Sequence, residues 1–170
     1  GYENVSVEQI ILAAGIARSS FYRFFANRDE VLAGIIRPVF AHGLARLGTI
    51  TANDARGVLH GIFDAYLALW AASPDALRLS IRTGGIYFEL FRDLHTPFRE
   101  RITALLRLVE PTGQLLNKSA DYTARLLART AVPVMEVYQR DPRFAVLFRS
   151  TMSGLLLLPA TESTTREVTS

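Results

Sequence analysis

Cysteine is absent from the 170 residues, and lysine occurs once, at Lys118. Without cysteine the chain has no thiolate nucleophile, no cysteine–zinc site and no disulfide, which is compatible with a reducing cytoplasm. Arginine supplies nearly all of the positive charge, and the net charge of +3 is a mild bias rather than a polybasic tail. Composition therefore excludes thiol-dependent classes and does not by itself indicate nucleic acid binding.

Long apolar runs are also missing. Charged residues interrupt each apolar stretch before it reaches the roughly 20 residues that span a bilayer, and the run over 155–158 is far too short. The N-terminus has no basic region followed by an apolar segment. We therefore expect a soluble, cytoplasmic protein without a membrane partner, long enough to bury a core without disulfides or metals.

Alternating β-branched patterns bounded by Asn-Gly or Asp-Gly turns do not occur, whereas apolar residues recur at helical spacing almost throughout. This periodicity predicts an all-α fold. Pro38 lies inside one predicted helix and is expected to kink it. A tail rich in Thr and Ser over 161–170 is expected to be flexible. Beyond the first 27 residues, the predicted helices cover 28–47, 54–72, 74–94, 97–109, 121–138 and 142–158.

Two short helices occupy the N-terminal segment. Ser6 precedes an apolar helical pattern and Gln9 follows three residues later, which is the signature of a capping box, and Gly15 is the expected stop. A second short helix, rich in aromatic residues, follows and breaks at Ala26-Asn27. Two short helices joined by a glycine turn are typical of a helix-turn-helix, whose second helix enters the DNA major groove.

The N-terminal segment contains, in unbroken order, Gly1-Tyr2, Val5-Ser6-Val7-Glu8-Gln9-Ile10, Ala13-Ala14-Gly15-Ile16, Ser19-Ser20-Phe21-Tyr22-Arg23-Phe24-Phe25 and Asn27-Arg28-Asp29-Glu30-Val31-Leu32. These residues resemble the DNA-binding signature of the TetR family of transcriptional regulators. The resemblance covers 1–35, and the rest of the chain is similar in architecture alone. It implies a further helix before the first residue, so that the DNA-binding domain is expected to be incomplete at its N-terminus.

Two positions depart from the family pattern. Ile11 stands where the family usually has alanine, and the sequence offers no reason for it. Arg28 stands where the family usually has lysine, and arginine keeps the positive charge for a phosphate.

The resemblance assigns a DNA-binding role to a set of polar and aromatic side chains. Arginine can read guanine with two hydrogen bonds, and hydroxyls can hold phosphates. Arg18 is the leading candidate for base reading, and the Tyr22 hydroxyl is expected on a phosphate. The simpler role for Ser6 is to cap the helix, and the simpler role for Tyr22 is to complete the small core. The full set is Ser6, Arg18, Ser19, Ser20, Tyr22, Arg23, Phe24 and Arg28.

The larger domain contains more aromatic surface than the packing of a few helices requires. Read with the resemblance, these residues form a pocket for a small effector that is lipophilic or aromatic, although each is equally suited to a core position. Residues of about 121–158 are expected to form the homodimer interface. The pocket hypothesis names Phe63, Tyr66, Trp70, Tyr87, Phe88, Phe91, Met135 and Tyr138.

The sequence is compatible with three functions. The favoured function is a repressor that an effector releases from a palindromic operator, with the helix over 28–47 transmitting the change. The alternative is a dimeric helix-turn-helix regulator controlled by a protein partner, and a remote one is an all-helical enzyme. Catalytic motifs, metal ligand sets and cofactor motifs are missing from the sequence, so no enzyme activity, metal or cofactor is expected. The expected domains are 1–35 for DNA binding, 36–160 for effector binding and dimerisation, and the tail over 161–170.

Overall fold

The structure, a computed structural model, describes residues 2–83 and 87–159. Within these residues the chain is all-α, as predicted, and has no strand. The expected tail over 161–170 and the Gly84-Gly85 pair lie outside the described residues. The helices are α1 (Val7–Ala14), α2 (Arg18–Phe24), α3 (Arg28–Gly48), α4 (Ala55–Ala72), α5 (Pro74–Thr83), α6 (Arg92–Val109), α7 (Ala120–Tyr138) and α8 (Phe144–Leu156).

Local capping chemistry sets the ends of the N-terminal helices. The Ser6 side chain accepts a hydrogen bond from the Gln9 N–H, and the Gln9 side chain accepts one from the Ser6 N–H, which completes the predicted capping box. Gly15 ends α1 with a φ of +63°, a left-handed conformation that favours glycine. Asn27 caps α3 through the Glu30 N–H. The predicted helix-turn-helix is therefore present.

Helix α3 runs without interruption from Arg28 to Gly48 and includes Pro38. By length and composition it is apolar enough to cross a membrane, although Arg37 interrupts its apolar residues near the middle. Core helices pass the same test, and six residues of α3 are buried. Arg37 near its middle makes two hydrogen bonds of 2.8 and 2.7 Å to the Asp93 carboxylate of α6. The buried residues of α3 belong to the core of the protein, and the Arg37–Asp93 pair joins α3 to α6 at the surface.

The boundaries between α5 and α6 differ from the predicted ones. A single helix over 74–94 was wrong: α5 ends at Thr83 in the described residues, and Phe88–Leu90 is a separate 3₁₀ turn. Helix α6 begins at Arg92 rather than at Pro97. The sequence suggested that proline opened the helix, but Pro97 lies in the second turn, where its missing N–H removes one backbone hydrogen bond.

The C-terminal helices follow the prediction more closely. Helix α7 begins one residue earlier than predicted, with Ser119 as its cap. Helix α8 begins two residues later, at Phe144, because the Asp141 carboxylate accepts the Arg143 N–H and holds the chain in a turn. The loop before α7 pairs with the end of α8, where the Leu116 N–H donates to the Leu156 carbonyl at 2.9 Å.

One large core fills the space between α3 and α8. Its buried side chains come from each of these six helices, and Phe63, Phe91 and Phe148 are among the largest. Phe21 of α2 is also buried, with 1% of its surface exposed, but it lies outside this cluster. The N-terminal segment therefore has a small core of its own.

Candidate DNA-binding surface and internal cavity

Helix α2 presents most of the predicted DNA-binding side chains to solvent. Arg18, Ser19 and Arg23 are exposed, Ser20 is half-buried, and Tyr22 is 47% exposed. Phe24 is 67% exposed and lies on the same exposed helix as these polar side chains. Phe21 on the opposite side of the helix is buried. Its packing holds α2 in the N-terminal segment with the polar face toward solvent.

Aromatic rings lie beside the two arginines of α2. The guanidinium carbon of Arg18 lies 5.5 Å from the centre of the Tyr22 ring, and that of Arg23 lies 4.8 Å from the centre of the Phe24 ring. The Arg18 Nη1 atom also lies 3.3 Å from a carboxylate oxygen of Glu8. Because both side chains of this ion pair are about two-thirds exposed, the pair costs little to exchange for a base or a phosphate.

Ser6 lies half-buried at the start of α1. Its oxygen accepts the Gln9 N–H at 3.1 Å, so capping, the simpler of the two predicted roles, is present. The hydroxyl hydrogen remains available, and the first N–H groups of a helix favour an anion. The phosphate role of Ser6 stays a prediction.

Arg28 lies half-buried between the N-terminal segment and the larger domain. Its Nη1 atom donates to the carbonyl oxygens of Glu3 at 2.7 Å and Val5 at 2.8 Å, and its Nη2 atom lies 3.3 Å from the Tyr87 hydroxyl. The Tyr2 hydroxyl donates in turn to the Arg28 carbonyl. Sequence reasoning assigned Arg28 to a phosphate, which stays a prediction, and did not anticipate these intramolecular contacts.

Two tyrosines complete the junction. The rings of Tyr2 and Tyr87 meet edge to face, with centres 5.0 Å apart, and Tyr2 packs against the main core. Burial, followed by the nearby Asp29 carboxylate, raises the pKa of Tyr2 above its ordinary value, so its hydroxyl keeps its proton. We call Tyr2, Arg28 and Tyr87 the junction. It joins the start of the N-terminal segment to the turn that precedes α6.

The eight residues of the pocket hypothesis do not gather around a single space. Tyr66 lines an internal cavity, described below. Five of the eight, including Tyr66, are buried, and Tyr87 contributes to the junction. Tyr138 pairs with the Thr151 hydroxyl of α8 at 3.0 Å. The buried members are Phe63, Tyr66, Trp70, Phe91 and Met135, while Phe88 packs at the edge of the core.

A cavity of about 140 Å³ lies between α3, α4, α5, α6 and α7. Phe40, Tyr66 and Phe98 supply aromatic walls, and each of the five helices also contributes aliphatic side chains or alanines, namely Val39, Leu69, Leu77, Ile81, Ile102, Ala124 and Ala128. Its polar lining includes His95, whose Nδ1 atom is buried without a hydrogen-bond partner among the described residues. Buried polar atoms normally have partners, so such an atom marks a place where a ligand or a water can bind.

A wider, open groove of about 730 Å³ runs along the surface between α6 and α7. It contains four arginines, at 99, 107, 125 and 129, against the acidic Glu100 and Asp121. Arg107 pairs with Asp121 at 3.2 Å. The sequence analysis did not single out this groove, because its arginines come from two helices that are separated in sequence.

The helices expected to form the dimer interface lie side by side on the surface. In α7, Tyr122 and Val137 are exposed, Val137 by 76%, and in α8 Val146 is 65% exposed. Phe148 and Leu156 lie within the range expected to form the interface, but they are buried in the core of their own chain. The exposed apolar face is therefore narrower than the sequence pattern predicts.

In the described part of the chain, no three or more histidine, aspartate or glutamate side chains lie close enough together to hold a metal ion. Asp64, four residues after His60, pairs instead with Arg149 of α8 at 2.6 Å. The His60 Nε2 atom lies 3.4 Å from the Ser153 hydroxyl. Both contacts fasten α4 to α8.

The comparisons with known proteins bear on the N-terminal segment. Residues 1–35 match the family model described as bacterial regulatory proteins, tetR family. No curated protein matches the chain. The matched residues contain α1, α2 and the beginning of α3, which together carry the exposed arginines and hydroxyls. The first 35 residues are therefore a TetR-family helix-turn-helix domain, and this match supports a DNA-binding transcriptional regulator.

Proposed function

We propose that this chain, with a TetR-family helix-turn-helix domain at its N-terminus, is a transcriptional repressor that a small effector releases from a palindromic operator. The observation that carries the proposal is the exposed face of α2 inside the matched segment. Arg18, Ser19, Tyr22 and Arg23 offer both base-reading and phosphate-binding groups there. A soluble repressor of this kind acts in the cytoplasm, where its operator lies.

We propose that the chain binds DNA as a homodimer. One short recognition helix buries little surface, whereas a two-fold dimer places two such helices about 34–36 Å apart on successive turns of one DNA face. Helices α7 and α8 are the proposed interface, and the exposed Tyr122, Val137 and Val146 support this role. Residues 1–35 would then be the DNA-binding unit, and 36–160 the unit that dimerises and binds the effector.

The proposed effector occupies the internal cavity. The cavity walls are mostly apolar, with a few polar groups, which is typical of small-molecule sites. Phe40 and His95 line the cavity, and Phe88 packs edge to face against His95 with ring centres 5.0 Å apart. Phe88 is adjacent in sequence to Tyr87 of the junction, and Tyr87 contacts Arg28. His95 of the cavity lining is therefore connected to the DNA-binding segment through Phe88 and Tyr87.

Induction requires an effector that binds two dimer shapes with different affinities. In this proposal the effector stabilises a shape whose recognition helices are wrongly spaced for the operator. The segment from Tyr87 to His95 and helix α3 both connect the cavity to the N-terminal segment. A shift of either element would displace α2 relative to its mate.

The direct test is binding of the protein to duplex DNA from upstream of its own gene, measured by fluorescence anisotropy over a range of salt concentrations. Phosphate contacts make affinity fall with salt, and loss of one cationic contact reduces the slope by about one. We expect Arg23→Gln to reduce both affinity and slope. Arg46→Gln removes the same charge from an exposed position on α3 and should change neither.

Two results would reject the proposal. One is the absence of binding to both the upstream DNA and a pool of genomic fragments. The other is equal weakening by Arg23→Gln and Arg46→Gln, which would reduce binding to a general charge effect. A protein that binds the operator and is not released by any small molecule would support the alternative, control by a protein partner.

A further inference from the structure

Arg99 belongs to both the internal cavity and the surface groove between α6 and α7. It lines the cavity together with Ala124 and Ala128, and the same three residues line the groove. Because alanine has no side chain beyond Cβ, these two positions of α7 leave the cavity adjacent to the groove. The apolar space and the arginine-rich surface are therefore neighbours, with Arg99 at the boundary.

Most of the arginines in this groove are not paired with an acidic side chain among the described residues. Among residues 2–83 and 87–159, Arg99, Arg125 and Arg129 form no ion pair, whereas Arg107 is paired with Asp121. Glu100 is the remaining acid in the groove lining. Exposed arginines that face one another across two helices repel, so an anion that binds between them relieves an unfavourable interaction.

Two polar groups within the cavity can orient a ligand. Burial lowers the pKa of His95 below its ordinary value, with a further contribution from the Arg99 charge, so the ring is neutral at pH 7. A neutral imidazole offers one donor and one acceptor. Burial raises the pKa of Tyr66, which keeps its hydroxyl protonated as a donor. Both groups lie on the cavity lining.

The volume limits the size of the apolar part of a ligand. A dry protein cavity of about 150 Å³ holds a molecule the size of benzene, and the cavity here measures about 140 Å³. One aromatic ring or a short alkyl chain therefore fits. A fused polycyclic compound would require the surrounding helices to separate.

We propose that the effector is a small hydrophobic carboxylate, with its ring or short alkyl chain in the cavity and its carboxylate on Arg99 at the boundary with the groove. The planar guanidinium matches a carboxylate through two parallel hydrogen bonds. Arg125 and Arg129 add positive charge nearby and favour an anion over a neutral ligand of the same shape. This inference rests on the proposed effector site and names the chemistry of its ligand.

Isothermal titration calorimetry with 3-phenylpropanoate and 3-phenylpropanol tests the inference, since the two probes share a ring and differ in charge. The acid should bind the wild-type protein about tenfold or more tightly than the alcohol, as expected for a charge-assisted pair. Arg99→Gln should remove this difference. Arg101→Gln, a matched change on α6 at a position outside both linings, should preserve it.

A second variant tests the location. Ala128→Leu adds a side chain where the cavity meets the groove and keeps helical propensity, so it should weaken the acid and the alcohol together. Equal affinities of acid and alcohol, an unchanged preference in Arg99→Gln, or no binding of either probe would overturn the inference. Operator binding of each variant, measured alongside, separates this failure from failure of the regulator proposal.

Discussion

The N-terminal segment and the larger domain are built on very different amounts of core. In residues 2–27 one side chain, Phe21, is fully buried, and α1 has no buried residue. In the larger domain α4 alone buries nine residues. The exposed side chains of α2 are therefore held by a very small core, whereas the cavity is surrounded by a large one. We infer that the exposed face of α2 depends on its attachment, through α3 and the junction, to the larger domain.

Removal of the Phe21 ring should produce the largest difference in stability between the two regions. Phe21→Ala is expected to cost the N-terminal segment about 3–5 kcal/mol, the usual range for Phe to Ala in a core. Amide hydrogen exchange over residues 7–24 should become fast, while the thermal midpoint of the larger domain stays close to that of the wild type. A matched Phe63→Ala change should instead destabilise the whole chain. The comparison would fail if both variants lowered the same single transition equally.

Changes at the junction should weaken the attachment without unfolding either part. Arg28→Lys keeps the charge but cannot reach the Glu3 and Val5 carbonyls and the Tyr87 hydroxyl together, which should cost about 1–3 kcal/mol. Hydrogen exchange over 2–24 should accelerate and operator affinity should fall. Tyr87→Phe removes one of these contacts and should give a smaller change of the same kind. Unchanged exchange in both variants would show that α3 alone carries the attachment.

A change of the reading surface should affect DNA and leave stability alone. Arg18→Gln is expected to cost about 1–3 kcal/mol of operator affinity and to relax preference at one base position. Its ion pair with Glu8 is exposed, so the thermal midpoint should not move. Competition assays against operators mutated at single positions provide the measurement. A uniform loss across all sequences would identify Arg18 as a phosphate contact instead.

The smallest expected effect concerns acid sensitivity within the larger domain. Hydrogen bonds from Arg37 hold the pKa of Asp93 below its ordinary value of 3.8, so the pair contributes stability above that pH and loses it as the pH falls through the lowered pKa. Asp93→Asn should therefore flatten the fall in thermal midpoint at the acid end and change little at pH 7. About 60% of the Asp93 side chain is exposed, so the effect is small. An acid limb identical to that of the wild type would contradict it.

The features that the sequence predicted well are those that depend on neighbours along the chain. The capping box of Ser6 and Gln9 and the stop at Gly15 use residues within four positions of one another. Short-range hydrogen bonds of this kind have few competing arrangements. The start of α6 was misplaced because Pro97 fits two positions of a helix, and tertiary packing selected the second turn.

The candidate sites depended on contacts that no local pattern contains. Arg28 reaches across about 60 residues to Tyr87, and Arg99 gains its place at the cavity because α7 contributes alanines there. An aromatic-rich pattern predicts core and pocket equally well, which explains why most of the predicted pocket residues form the core. Ile11, unexplained from the sequence, lines a shallow surface groove with the exposed Leu12.

The central claim, that the exposed face of α2 reads DNA from a two-fold dimer, is tested most directly by selection of duplexes from a random library with the protein. The account predicts enrichment of an inverted repeat whose half-sites are centred about one helical turn apart, and loss of that enrichment with Arg18→Gln and Tyr22→Phe. No enrichment, or enrichment of single half-sites without two-fold symmetry, would contradict it.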